Sequence, residues 1–446
     1  MDSISKKVKI TVLSPLHIGC GVEWKEGADY VVVDNKIFFL DNEEILRKLE
    51  KNHLQSFSNA LSRVLANNGD MYSLCKDFFQ KDYMDILRQR FPDIDKQIAY
   101  PAIKCSVRNP LNNNPIIPGS SIKGAVRTIV IPQFLNDVRK IEELKEAEKK
   151  IEEIQIEVRA LNKELKKSQD KNDKRHTDEI WKVISSKNEE IKKEKAVVKR
   201  FKNYLSALSK IQLPKKYSNG KNNDGNFDWM SCIHIADIEM PKTRLFNTNL
   251  FDLYQRTGIW NGGWKVAKDN NPLKGIYKIT PRRERGKFNT IYECIEPGQE
   301  GTGTFSLRRD MLERLIETED VHKYPFLESI EGLFYMINQH TIKYLEKEIA
   351  FFKKYQTDGT DKIIKSLNEI ILQTPNDGKP QSCVFKMSAG SGFHSITGDW
   401  KYENHIEPLD AHLHPITKSP IPYKTRRIVE YKESLTEMGF VKLTAL

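Results

Sequence analysis

Near the start of the chain Val8, Ile10 and Val12 alternate with Lys7, Lys9 and Thr11, the period of a half-buried strand, and Ser14-Pro15 ends the run. Tyr30 to Val33 and Lys36 to Leu40 read as two strands of a hairpin, because Asp34-Asn35 between them tolerates the positive φ of a tight turn. Asp41 then caps a helix over Glu43 to Lys51, and Leu54 to Ile98 is helical in tone. Ile122, Val126, Ile129 and Val130 recur at helical spacing behind Ser120 and Ser121, either of which suits an N-cap; Lys123 and Arg127, four apart, share one face. Further strands are expected at Cys232 to Ala236, Phe288 to Ile295, Thr304 to Leu307 and Gly439 to Leu443. Helices are expected over Glu328 to Phe352 and Lys362 to Leu372, whereas Trp260 to Pro272, aromatic and glycine-bearing, reads as a loop.

From Asp137 to Leu208 the pattern changes. Ile141, Leu144, Ile151, Ile154, Val158, Leu161 and Leu165 recur at three, four and seven in a Glu/Lys background, and a polar break at Ser168 to His176 precedes a second stripe through Ile180, Ile184, Ile191, Val198, Phe201, Leu205 and Leu208. Two such stripes around one break predict an antiparallel coiled-coil hairpin inserted in the body.

At 446 residues and 51.8 kDa the chain exceeds a single ordinary core, so two or three units are expected. Apolar stretches are short and the opening residues carry no leader pattern; together with six scattered cysteines lacking any CxxC pair, this leads us to expect a soluble protein of the reducing cytoplasm, without a membrane. Lys and Arg outnumber Asp and Glu by 72 to 61, a net charge of +11 that favours a polyanion partner if the excess gathers on one surface.

Several segments have that chemistry. Gly390, Gly392 and Gly398 form a glycine-rich stretch after Lys386, with Ser391 and His394 inside it, whose backbone can approach a phosphate closely. The Pro118-to-Gly124 turn sets Ser120, Ser121 and Lys123 at a helix N-terminus, a geometry that holds anions. Arg282, Arg283, Arg285 and Lys287, and again Lys424, Arg426 and Arg427, are basic clusters beside Phe288, Tyr292, Tyr423 and Tyr431, aromatics suited to stacking on bases. Taken alone, each pattern is equally that of a plain turn, a capped helix or a solvated charge run. His412/His414 and Cys232/His234 find no further ligand at metal spacing, no hydrolase or metalloprotease motif occurs, and no cofactor is indicated.

Ser14-Pro-Leu-His-Ile-Gly-Cys-Gly21, Ile117-Pro-Gly-Ser-Ser-Ile-Lys-Gly-Ala-Val-Arg-Thr128 and Ala389-Gly-Ser-Gly-Phe-His-Ser395 together resemble the RAMP (repeat-associated mysterious protein) subunits of CRISPR effectors. Tyr292-Glu-Cys-Ile-Glu-Pro-Gly298, Lys424-Thr-Arg-Arg-Ile-Val429 and Glu437-Met-Gly-Phe-Val-Lys-Leu443 are similar to segments of the fifth, terminal subunits of type III-A (Csm) complexes. The resemblance implies an α+β protein of two ferredoxin-like (RRM-type) lobes. Residues 1–136 and 213–245 would form the first and 246–446 the second, with the helical hairpin inserted at 137–212. It implies a non-catalytic subunit that holds crRNA, docks on the adjacent backbone RAMP subunit among the other Csm subunits, caps the filament near the crRNA 3′ end and supports crRNA maturation in antiviral defence. Lys123, Arg127, Gly390, Ser391 and Gly392 fall on the matching motifs as RNA or interface contacts, and Ser120, Ser121, Lys386, His394 and the basic clusters extend that set. Two rivals stand beside it. One is a RAMP-type endoribonuclease using Asp29, or His17 or His394 as acid or base; the other is an adaptor whose hairpin recruits a host nuclease.

Overall fold

In a computed structural model of the chain, residues 3–33, 36–49, 53–66, 70–89, 91, 102–130, 138–170, 173–208, 210–212, 226–257, 259–267, 277–283, 290–308, 329–388, 412–413, 420–421 and 425–446 are described. Strand β1 (Ser3–Val12) and β2 (Gly19–Trp24) open the chain. A small module follows, made of β3 (Tyr30–Val33), β4 (Lys36–Leu40), α1 (Asn42–Leu49), α2 (Leu54–Ala66), α3 (Met71–Phe79) and β5 (Leu87–Gln89). Next come β6 (Ile103–Ser106), β7 (Ile116–Ile117), α4 (Gly119–Val130) and the two long helices α5 (Val138–Asp170) and α6 (Lys174–Leu208). The chain continues through β8 (Lys210–Gln212), β9 (Asn226–Asp228), β10 (Ile233–Ile235), β11 (Ile238–Glu239), β12 (Thr243–Arg256), β13 (Ile259–Ala267), β14 (Tyr277–Thr280), β15 (Thr290–Ile295) and β16 (Glu300–Arg308). Last come α7 (Ile330–Lys354), α8 (Thr360–Gln373), β17 (Ser382–Lys386), β18 (His412–Leu413), β19 (Pro420–Ile421), β20 (Arg426–Tyr431), β21 (Ser434–Glu437) and β22 (Phe440–Ala445).

Two sheets organise the body. The first is antiparallel in the order β10-β16-β1-β22-β17; the second runs β14-β13-β12-β15-β6-β2, with β20 paired on β12 and β21 on β20. Strands from both sides of residue 245 meet in each: β1 lies between β16 and β22, and β6 pairs with β15. A boundary at 245/246 therefore passes through both sheets.

The alternation at the start of the chain becomes packing. Val8, Ile10 and Val12 are fully buried in a core that also takes Ile122, Val126, Ile129 and Val130 of α4 and Leu333, Phe334 and Ile337 of α7. Each such side chain removed from water contributes roughly 1.5–3 kcal/mol. The far edge of that sheet, β17, is closed by side chains of α7. Asn338 donates to Ser382 O (3.0 Å) and accepts from Val384 N (2.9 Å), and Thr341 donates to Val384 O (2.6 Å), so the edge has no free ladder to offer there.

The expected loop at 260–272 is, over its described part, strand β13, paired with β12 from Ile259 to Lys265 and with β14 from Trp264 to Ala267. Its glycines serve contact, not turning: a Cβ on Gly262 would stand 2.1 Å from Tyr355 O. Helices α5 and α6 run antiparallel, since Lys150 meets Glu194, Glu157 meets Lys187 and Glu164 meets His176. Between them Leu165, Ile180 and Ile184 are buried together.

Candidate nucleic-acid interface

The loop of residues 13–18 lies where both sheets and three distant segments meet. Leu13 N and Ser14 N donate to Phe440 O, Leu16 and Ile295 exchange backbone bonds (3.1 and 2.8 Å), and Gly439 N donates to Pro15 O. Met387 N reaches Gly439 O (2.7 Å), Val107 N reaches Ile18 O (2.8 Å), and Ile116 N reaches Val107 O, which ties in the strand leading to α4. Gly439, at φ +98°, has to be glycine: a Cβ there would be 2.6 Å from Met387 O. Motifs that are hundreds of residues apart in the chain thus share one junction.

His17 is its centre. The ring is buried, its Nδ1–H donates to Glu293 O (2.7 Å), and its edge meets the Tyr292 ring at 4.8 Å. Ser388, the last described residue before the glycine-rich stretch, donates from Oγ to His17 O (3.1 Å). Burial lowers the imidazole pKa below its usual value, outweighing the carbonyl of Glu293, so the ring is neutral at neutral pH. One layer away the Glu293 carboxylate is fully buried, taking hydrogen bonds from Ser106 N (2.9 Å), Thr243 Oγ1 (2.7 Å) and the Arg108 guanidinium. Neither role was anticipated for Glu293; its signal is an acid flanked on both sides by apolar residues in a strand buried on both faces.

Helix α4 starts at this junction, and its cap differs from the expectation. Gly119 N donates to Asp237 Oδ1 (2.8 Å), and Ser121 N and Ile122 N donate to Pro118 O, so Ser120 and Ser121 are not the cap. Gly119 permits the fit, because a Cβ would stand 1.9 Å from Ile235 O of β10. A carboxylate already holds the first N–H of α4, which leaves side chains beyond it as the means of holding a phosphate. Ser120 is exposed, and Ser121, Lys123 and Arg127 are half-buried, the two cations one turn apart.

The basic clusters divide. Lys386 is buried, its Nζ 2.5 Å from Glu437 Oε2 and 2.8 Å from the Tyr344 hydroxyl. Arg426 is buried as well, donating through Nε (2.5 Å) and Nη2 (2.9 Å) to the Glu348 carboxylate and lying 4.0 Å from the Phe351 ring centroid. Both were expected to touch RNA; here their charges are spent inside the fold. Burial drives the Glu437 pKa up to about 7, against the pull of Lys386. Burial also acts to raise that of Glu348, but the Arg426 guanidinium outweighs it and the net shift is downward. Arg427 is half-buried over Tyr292 at 5.0 Å and donates to Thr248 Oγ1 (3.0 Å); Arg283 pairs with Glu430 (2.7 Å), and Arg282 is exposed. Arg285, Lys287, Gly390, Ser391, Gly392, His394 and Lys424 lie outside the described residues. Asp29 is exposed at the start of the small module, its Oδ2 accepting from Lys25 N (2.8 Å) in a turn.

Among the described residues no group of three or more His, Cys, Asp or Glu is placed to hold a metal ion, and no helix is long and apolar enough to cross a membrane.

The model of the RAMP superfamily matches residues 9–367. The CRISPR system Cms protein Csm5 of Methanocaldococcus jannaschii is 27% identical over 167 residues, 37% of this chain and 38% of that relative, so the match spans well under half the relative's length. Among solved structures, a chain of the cryo-EM structure of a Csm-crRNA-target RNA ternary complex from a type III-A CRISPR-Cas system aligns with TM-score 0.55 at 17% identity, covering 99% of this chain and all of that one. The crystal structure of T. onnurineus Csm5 aligns with TM-score 0.49 at 16% identity over 98% of this chain and all of that one. The α+β body, the order of its motifs and the family match over most of its length agree: the chain is similar to Csm5 proteins and belongs to the RAMP superfamily.

Proposed function

We propose that this chain is a non-catalytic, crRNA-binding structural subunit of a type III-A CRISPR (Csm) effector complex, standing at the end of the backbone filament near the crRNA 3′ end. The observation that carries the reading is the convergence at His17: the first loop, the segment leading into α4 and the foot of the glycine-rich stretch meet through His17–Ser388, Val107–Ile18 and Met387–Gly439 contacts. Lys123 and Arg127 follow that junction on α4, and Ser388 is the last described residue before the glycine-rich stretch. We read the body as two ferredoxin-like lobes, one around each large sheet, with α5 and α6 as an inserted coiled-coil hairpin.

The surroundings of His17 and Asp29, the two candidate catalytic residues among the described ones, support the non-catalytic reading. A general acid or base has to reach the scissile group, whereas the buried imidazole of His17 spends Nδ1 on Glu293 O, and Asp29 closes a turn. Partners follow from the same reading: guide RNA, the adjacent backbone RAMP subunit and the other Csm subunits.

Reconstitution of the complex with Lys123→Glu plus Arg127→Glu tests the proposal. Guide RNA is extracted and its 3′ ends are mapped. Ragged or shortened 3′ ends with the filament otherwise intact are expected; ends identical to those of the parent complex would overturn the assignment of α4, and cleavage lost on Asp29→Ala or His17→Asn with assembly intact would overturn the non-catalytic reading.

A further inference from the structure

Helix α6 is divided along its length in a way that packing with α5 does not require. From Lys174 to Ile191 it carries four Lys or Arg balanced by four Asp or Glu, and two of those cations pair: Arg175 with Glu179 (3.7 Å) and Lys187 with both Glu157 (3.0 Å) and Glu190 (3.6 Å), while His176 faces Glu164 (3.3 Å). From Lys192 to Arg200 it carries five cations, Lys192, Lys193, Lys195, Lys199 and Arg200, against the single acid Glu194. All five are exposed, while Glu194 is half-buried and turned to Lys150 (4.0 Å). Lys192 lies 3.7 Å from Glu189; among the described residues no carboxylate pairs with Lys193, Lys195, Lys199 or Arg200.

At about 100° per residue the five cations fall in one sector of about 160° that excludes Glu194 and the Ile184–Ile191–Val198 line packed towards α5. They occupy about 12 Å of helix. Like charges at i,i+4 destabilise a helix by a few tenths of a kcal/mol per pair, so the strip works against the element that carries it. Only one apolar side chain, Ala196, lies among them. Protein interfaces are depleted of Lys and anchored by aromatic or Arg side chains in apolar pockets, which this sector lacks. A row of phosphates is the surface that such a strip fits.

We propose that the body-proximal half of α6, through Lys192, Lys193, Lys195, Lys199 and Arg200, is a second RNA-binding site of this chain, one that grips the phosphate backbone without reading bases. The inference goes beyond the α4 junction and rests only on RNA being the polyanion at hand. With no aromatic in the sector the site has nothing to stack on a base, so it is indifferent to sequence.

The test uses the full chain and a fluorescent oligouridylate, followed by anisotropy across a KCl series. Changing all five cations to Gln keeps helix propensity, and circular dichroism checks it. Loss of about three phosphate contacts is expected to reduce the slope of log affinity against log salt by about 2 and to weaken binding at least about tenfold at low salt. The equivalent variant with every Lys changed to Arg is expected to keep the parent slope, and Lys174, Arg175 and Lys182 changed to Gln near the helix turn are expected to leave it nearly unaltered. An unchanged slope in the five-fold Gln variant would overturn the proposal, as would loss of one protein subunit from the reconstituted complex with the RNA slope retained, since the strip would then serve an acidic protein. The α4 variants are scored by guide 3′ ends and these by salt slope, so either reading can fail alone.

Discussion

Arg426 and the Lys192–Arg200 strip are both basic runs in the sequence, and they meet opposite fates. In β20 alternate residues point to opposite faces, so Arg426 turns into the fold and meets Glu348, 78 residues earlier, while its neighbour Arg427 turns to Tyr292 and Thr248. On α6 the apolar line has already claimed the side towards α5, and the cations are left outside. A basic run is thus open to a polyanion only where the period of its element and the nearest carboxylates leave it in water.

The comparison breaks most visibly at Arg426. Arg426→Ala leaves a buried carboxylate on Glu348 without its partner and is expected to cost about 3–5 kcal/mol, measured by chemical denaturation, whereas Arg426→Met with Glu348→Leu is expected to recover most of that loss. Gly119→Ala comes next. It pushes a Cβ towards Ile235 O, separates α4 from β10 and is expected to cost about 1–3 kcal/mol.

Titration sharpens the contrast between inside and outside. Glu437 has a folded pKa raised to about 7, so the folded form holds its proton more tightly than the unfolded chain does. Its contribution is full below the ordinary carboxylate range and is lost as pH rises through about 7. Glu348, shifted down, contributes above the ordinary carboxylate range and loses that contribution as pH falls. Glu437→Gln is therefore expected to flatten the decline of stability between about pH 5 and 7 and to leave the acid limb in place, as read by thermal melts in a pH series. The smallest effect is expected outside: Lys195→Ala on the α6 strip changes stability by less than about 0.5 kcal/mol.

What could be read in the sequence was local. The alternation of Val8, Ile10 and Val12 became the buried face of β1, and the spacing of Ile122, Val126, Ile129 and Val130 became the buried side of α4. Asp41 accepts from Glu43 N and Glu44 N at the start of α1, as its position suggested. What escaped depended on distant partners. Gly262 suggested a loop because the Tyr355 carbonyl that demands a missing Cβ is far off in the chain. Asp237 at the N-terminus of α4 lies 118 residues from Gly119, Glu348 lies 78 from Arg426, and nothing in either run marks its counterpart. The candidate site was legible as motifs, through resemblance, but their meeting at His17 was not, since Ser388 is 371 residues away.

The most direct test is photo-crosslinking of the reconstituted complex, assembled on guide RNA carrying 4-thiouridine, with the linked peptides identified by mass spectrometry. The account predicts crosslinks from the 3′ part of the guide to residues 120–128 and to the stretch after Ser388, with none at Lys386 or Arg426. Crosslinks confined to Lys386, Arg426 and their neighbours, or a complex in which this chain captures no guide RNA, would contradict it.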